Sequence, residues 1–270
     1  MTEDRGDMGE PFRRARDVVR LQKALLPDRA VQLLADEVMT RLAGRLHPED
    51  GPAPIAEEVA IDDFCQALID DDAEVALGMV RRERRDGVPL ETIYLGTLAG
   101  AAARLGQWWD EDRVSFLQMS MAAGRIFEIM RHLRQTIPEP RNEIAPERRA
   151  LFATMPGDQH TMGVTMAADL FRNRGWDIDL RVGFDHDALM AAVAGRDYRV
   201  IGLSANNVEA VTPLARAVVA FRITHPGARI IVSGSLVAQM PGIGLLVGAD
   251  GAAGDWAETL RVVTDLADGA

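Results

Sequence analysis

"LFATMPGDQHTMGVTMAADLFRNRGWDIDL", residues 151–180, is the stretch on which the reading of this chain turns. An apolar run ends in a short polar loop, a helical pattern opens behind it, and a second β-rich run starts at Trp176. His160 is the histidine of that loop, lying between Asp158 and Gly163. From the residues alone three roles are open to it: a loop histidine without a task, a general base, or a metal-ligating imidazole. A base needs a nucleophile or a polar cluster to serve, and the sequence offers no convincing serine or cysteine elbow. A ligand needs its other ring nitrogen held. Asp158, just ahead of His160, can accept that proton and fix the tautomer.

Strand-like and helical runs alternate from there to the C-terminus. RRALFATMP (148–156), WDIDLRVG (176–183), YRVIGLSA (198–205), ARIIVSGS (228–235) and LLVGADGAA (245–253) are short and β-rich. Helical spacing marks TMGVTMAADLFRNRG (161–175), DHDALMAAVAGRD (185–197), EAVTPLARAVVAFRITHP (209–226) and DWAETLRVVTDLADG (255–269). This alternation predicts a Rossmann-like, flavodoxin-type sheet of five parallel strands with flanking helices, an α/β fold. Ligands of such folds bind outside the carboxyl ends of the strands, and the His160 loop follows the first strand.

The first half is all-α in pattern and shows no convincing strand. DRAVQLLADEVMTRLAGRL (28–46) places Val31, Leu34, Val38 and Leu42 at helical spacing behind Asp28 as N-cap. IDDFCQALIDDDAEVALGMVRRERRDG (61–87) reads as two short helices or one bent helix ending at Gly87. VPLETIYLGTLAGAAARLGQWWDEDR (88–113) is rich in small residues and suited to close packing, and DRVSFLQMSMAAGRIFEIMRHLRQTI (112–137) follows it. The prolines of IPEPRNEIAPERR mark a linker. The organisation expected is an extension over 1–27, a helical-bundle module over 28–137, a linker over 138–148 and the α/β domain over 149–270.

Composition narrows the classes of function. The chain has 270 residues, 47% of them hydrophobic, enough for a real core. Its apolar runs fall well short of the roughly 18–20 residues of a membrane span. The opening MTEDRGDMGEPFRRARD is charged and lacks an apolar signal core, so a cytoplasmic location is expected. The single cysteine, Cys65, leaves no internal disulfide and no thiolate cluster. A net charge of −11 argues against independent binding to nucleic acid. The arginine-rich FRRARDVVR and RRERRDG are interleaved with acidic residues and read as solvated helix faces.

DQHTMG (158–163) has the form Asp-x-His-x-x-Gly and resembles the signature of the cobalamin-binding Rossmann-like domain of methionine synthase, corrinoid methyltransferase proteins and mutases. GLSANN (202–207) stands where that family has Ser-x-Leu, IIVSGSLV (230–237) where it has Gly-Gly, and VGADGAAGDWAE (247–258) is similar to its last strand and turn. The resemblance implies cobalamin as cofactor, as adenosylcobalamin or hydroxocobalamin. It implies His160 as the lower cobalt ligand, Asp158 as its hydrogen-bond partner, Ser204 as third member of that relay, and Gly163 opening the helix start to a bulky group. Gly234 and Ser235 would border the nucleotide tail, with Gly251 and Ala252 near the ring edge or the tail's entrance. Asn206 replaces the family's leucine and Ser233 its first glycine, which narrows the expected slot.

The helical half resembles the module that caps the corrin's upper face. In LGQWWDEDRVSFLQMSMAA (105–123), Trp109 aligns with a tryptophan of CarH-type photoreceptors, and Met119 and Ser120 occupy the positions of their Glu-His. Phe116, Met119, Ser120, Ala123 and Phe127 share a helix face, read either as bundle core or as lid, and the adjacent Trp108 and Trp109 point to the lid. With serine in place of that histidine, water or hydroxide is expected above the cobalt. The layout, lacking a visible DNA reader, resembles the AerR/PpaA group. That resemblance implies a light-responsive antirepressor, a regulator and not an enzyme, acting on a transcription repressor of photosynthesis genes. A corrinoid methyl-carrier protein and a haem-binding sensor are the alternatives; a mutase would need a barrel for which these residues have no room.

Overall fold

The five apolar runs build one parallel sheet. β1 (Arg149–Thr154), β2 (Asp177–Arg181), β3 (Val200–Ser204), β4 (Arg229–Ser233) and β5 (Gly251–Ala253) lie in the order β2-β1-β3-β4-β5, the flavodoxin-type order expected. The computed structural model describes residues 58–70, 72–137 and 146–268. The expected extension over 1–27, the helix over 28–46 with Asp28, Val31, Leu34, Val38 and Leu42, and the linker over 138–145 lie outside these residues. Pro146–Arg148 form a 3-10 turn leading into β1. β1 and β3 are buried along nearly their whole length and β4 through its middle, as parallel strands covered on both faces must be. The strand order reverses between β1 and β3, and their carboxyl ends flank the crevice where such folds take ligands.

The helices between the strands match the sequence reading except between β4 and β5, where two short helices, Leu236–Gln239 and Ile243–Val247, were not expected. Met162–Asn173, His186–Val193, Val211–Thr224 and Trp256–Asp268 all fall within expected helical runs. In LLVGADGAA the first residues belong to the short helix Ile243–Val247, and only Gly251–Ala253 pair with β4. Gly242 and Gly248, both left-handed, bracket that helix. Leu245 and Leu246 therefore face outward, Leu245 with 86% of its surface exposed, although their apolar character suggested a buried strand.

On one side of the sheet Phe171 is fully buried and packs edge-on against Phe152, Trp176 and Trp256, with centroids 5.2–5.5 Å apart. Gly202 leaves room for Phe152, since a Cβ there would come within 2.9 Å of the ring.

We number the helices of the N-terminal half α1 (Glu58–Ile69), α2 (Ala73–Arg85), α3 (90–110) and α4 (Phe116–Arg134), and the first helix of the sheet α5 (Met162–Asn173). The 61–87 stretch forms two helices, α2 starting at the N-cap Asp72. α3 runs without a break from Leu90 to Asp110, passing through a π turn over Ile93–Leu98. α1 packs on α2, α3 and α4. At Gly100 a Cβ would lie 3.3 Å from Ile61, so the small residues of α3 do serve close packing, against α1. Ser115 and Gln118 form a capping box that starts α4.

The bundle meets α5 through a buried carboxylate. Asp169, fully buried, accepts from Tyr94 Oη at 2.9 Å, from Arg134 Nε at 2.6 Å and from Arg172 Nη1 at 3.0 Å. Glu91 adds a second tie, accepting from Trp256 Nε1 at 2.9 Å and Arg174 Nη2 at 2.5 Å. No helix among the described residues is long and apolar enough to cross a membrane.

Candidate functional site

β1 ends at Thr154, and a turn through Pro156 and the left-handed Gly157 closes with Asp158 N–H donating to the Met155 carbonyl at 2.9 Å. That turn aims the Asp158 carboxylate back across the crevice. Oδ1 accepts the His160 backbone N–H at 2.9 Å and lies 2.5 Å from His160 Nδ1. Oδ2 accepts the Asn206 backbone N–H and the Asn206 side-chain amide, each at 3.0 Å. Thr154, Asp158, His160, Ser204 and Asn206 are all buried, a concentration of polar side chains at one end of an otherwise apolar sheet.

Burial alone would raise the Asp158 carboxyl. The His160 side chain and backbone, the positive charge that imidazole can carry and the Asn206 amide outweigh burial and hold the carboxyl below its ordinary value. An ionised carboxylate only accepts, so the Nδ1 of a neutral His160 must carry the proton and Nε2 keeps its lone pair. That Nε2 is buried and has no hydrogen-bond partner. A buried imidazole nitrogen left bare, with its sister nitrogen held by a carboxylate, is the arrangement of a metal-ligating histidine. Among the described residues no group of three or more His, Cys, Asp or Glu side chains is placed to hold a metal ion. A corrin brings its own equatorial nitrogens, so a single imidazole is enough.

The surroundings fit a large ligand. Gly163, in the first turn of α5, is exposed, and a Cβ there would meet nothing within 4 Å. Thr154, Ser204, Ser233 and Ala253 pair in one row across the carboxyl end of the sheet. Above β4, Gly234 takes φ +98°, and a Cβ would run into the Ala205 carbonyl and come within 2.8 Å of Asn206 Oδ1. The glycine of that loop is therefore required both by backbone angle and by close approach. Ser235 N–H donates to Asn206 Oδ1 at 3.1 Å, and its hydroxyl to the Asn206 carbonyl at 2.7 Å. Gly251 and Ala252 pair with Ile231 and Val232, below the end row, and pack closely against Gly244.

Three expectations are corrected. Ser204 is not the third member of the relay. Its hydroxyl is reached by Asn206 Nδ2 at 3.4 Å, and Asn206 takes the second oxygen of Asp158. Met119, placed with Ser120 at the cap positions over the corrin, is fully buried inside the bundle. Trp108 likewise belongs to the core, with the Arg113 guanidinium 4.5 Å from its ring centroid, while Trp109 is half-buried. Neighbouring helical residues point about 100° apart, so one indole turns in and the other out. Ser120 is exposed on α4, with Phe116 and Phe127 exposed on the same face.

The model of the B12 binding domain family matches residues 148–263. The chain carries a cobalamin-binding domain. Its cofactor is cobalamin, and the haem alternative gives way to that match. A relative from Rhodobacter capsulatus, described as an "Uncharacterized 20.5 kDa protein in bchF-crtJ intergenic region", is 27% identical over 168 residues, covering 60% of this chain and 85% of its own. Among solved structures, the monomethylamine corrinoid protein of Methanosarcina barkeri superposes with a TM-score of 0.59 at 16% identity, covering 76% of this chain and 96% of that one.

The part of the site that sequence reading missed is Asn206 as partner of Asp158. A signal existed in the amide standing where the family has leucine: a buried carboxylate with one oxygen on histidine needs donors for the other.

Proposed function

We propose that this chain is a light-responsive, cobalamin-dependent antirepressor, acting through a partner transcription repressor of the photosynthesis-gene type, with His160 as the lower axial ligand of cobalt. The observation that carries the reading is the bare, buried Nε2 of His160 at the crevice of a cobalamin-binding domain. The regulatory half is supported by the relative in the bchF-crtJ intergenic region, a photosynthesis-gene setting.

An alkylcobalamin supplies a cobalt–carbon bond that light can break. The residues of the chain supply a fixed seat and a route outward. Asp158 faces His160 Nδ1, and Nε2 is left without a protein partner. Gly163 leaves the start of α5 open, and Gly234 lets the loop after β4 close on Asn206. The His160 loop leads into α5, and Asp169 on α5 is bonded to Tyr94 and Arg134 of the bundle. A shift of α5 is thereby carried to the bundle. Partner affinity then changes by the energy difference between the two bundle arrangements, and by no more.

The test is an absorption spectrum of the protein loaded with adenosylcobalamin in the dark and after illumination, for wild type and His160→Ala. A light-dependent change to a hydroxocobalamin-like spectrum that needs His160 supports the photosensor. The fold shared with a corrinoid protein favours a second reading, a methyl carrier with the same histidine ligation. Methyl loading from a methyl donor, with no stable light product, would replace the first reading by the second.

A further inference from the structure

We infer that Asn206 is a positioning residue: it holds Asp158, and through Asp158 the metal-ligating face of His160, while tying the loop after β1 to the loops after β3 and β4. The inference rests on the cobalamin reading of His160 and deepens it. Asn206 was expected only as a wall residue of the tail slot.

The hydrogen bonds of Asn206 are all spoken for by the site. Its backbone N–H and Nδ2 both donate to Asp158 Oδ2. Its Oδ1 accepts the Ser235 N–H, and its backbone carbonyl accepts Ser235 Oγ and Gln239 Nε2 at 2.7 and 3.1 Å. The amide thus spans the crevice, from the carboxylate that orients His160 to the backbone that follows Gly234. With 8% of its surface exposed, it makes these bonds in a dry setting, where losing one is costly. A leucine at this position keeps the backbone donor to Asp158 but removes Nδ2, and leaves the Ser235 N–H without its acceptor. Asp158 could then swing, and His160 Nδ1 would share it with other arrangements. Groups that orient a metal-ligating histidine typically contribute 10–100-fold to metal affinity, and Asn206 stands one bond behind such a group.

The experiment uses the full chain with and without hydroxocobalamin, comparing wild type with Asn206→Leu, Asn206→Asp and Ser204→Ala. Asn206→Asp keeps the volume and the acceptor for Ser235, so it remains informative if the leucine variant fails to fold. Long-range proton–nitrogen spectra of the cobalamin-free protein at one fixed pH report which imidazole nitrogen of His160 carries the proton. Wherever its imidazole is neutral, wild type should show a single tautomer with the proton on Nδ1, facing Asp158. Both Asn206 variants should show a mixture and bind hydroxocobalamin about 10-fold or more weaker, with Ser204→Ala disturbed less than either. Unchanged tautomer order in both Asn206 variants overturns the assignment, even if affinity falls, since Asn206 would then act by touching the ligand. A larger effect from Ser204→Ala also overturns it. Failure of the wild type to bind hydroxocobalamin would instead remove the cobalamin reading and leave the tautomer result standing.

Discussion

Tyr94 and Asp169, one in the helical half and one on the helix behind the His160 loop, are joined by a hydrogen bond of 2.9 Å that is wholly buried. The carboxylate is shared with Arg134 and Arg172, so three donors from two helices and the π turn converge on one charge. Burial comes first among the causes that push the Tyr94 hydroxyl far above its ordinary value, followed by the Asp169 charge and hydrogen bond. The tyrosine is therefore a permanent donor.

Removing one partner of a buried charged network costs more than its net contribution, because the others are left unpaired. Asp169→Ala should lower the stability of the protein by roughly 3 kcal/mol, read as a lower denaturant midpoint with an unchanged slope. A loss under about 1 kcal/mol would mean the cluster behaves as an exposed ion pair and does not bind the bundle to α5.

Gly163 and Gly234 should separate ligand effects from folding effects. Gly234→Ala forces a Cβ into the Ala205 carbonyl at φ +98° and is expected to cost about 1–3 kcal/mol in stability before any ligand is added. Gly163→Ala meets no protein atom, so its unfolding midpoint should hold or rise slightly while cobalamin affinity falls. Equal affinity for Gly163→Ala would place the corrin away from the start of α5.

Cys65 donates to the Ala101 carbonyl at 3.5 Å, and burial, helped by the Asp62 charge, pushes its thiol up to about 12. At about pH 8 only around one thiol in ten thousand is then ionised. The native protein should resist a thiol reagent that labels the unfolded chain at once. Fast labelling of the native protein would show that α1 opens from α3.

Glu83 accepts from Thr97 Oγ1 at 3.0 and 3.1 Å, yet burial outweighs that bond and raises its carboxyl. A folded-state value above the unfolded one means the folded protein holds the proton more tightly. Stability is therefore lost as pH rises through the unfolded value, and the penalty persists at neutral pH. Glu83→Gln should raise the melting temperature at about pH 7 and change it less at about pH 4. A lower melting temperature at neutral pH would make the Thr97 bond the stronger effect.

The sheet was legible because each strand–helix unit is local: β-rich runs and helical spacing both lie within short windows. The carboxyl-end placement of His160 followed from that order alone, and the Asp158 partnership is a contact between near neighbours in sequence. Asn206 was not legible as its third member because it reaches Asp158 from 48 residues away. Met119 and Trp108 failed for a different reason. A helix face shared by several apolar residues does not say which neighbour it meets, and here both side chains turn into the bundle. Leu245 and Leu246 failed because two flanking glycines allow a helical turn where leucine and valine suggested a strand.

The most direct test of the account is electron paramagnetic resonance of the cobalt(II) form of cobalamin bound to protein labelled with nitrogen-15 in histidine only. An axial nitrogen splits each cobalt line into a triplet when it is nitrogen-14 and a doublet when it is nitrogen-15. The account requires doublets in labelled wild type and their loss in His160→Ala. Triplets that persist in the labelled protein would mean that cobalamin keeps its own base and that His160 is not the ligand.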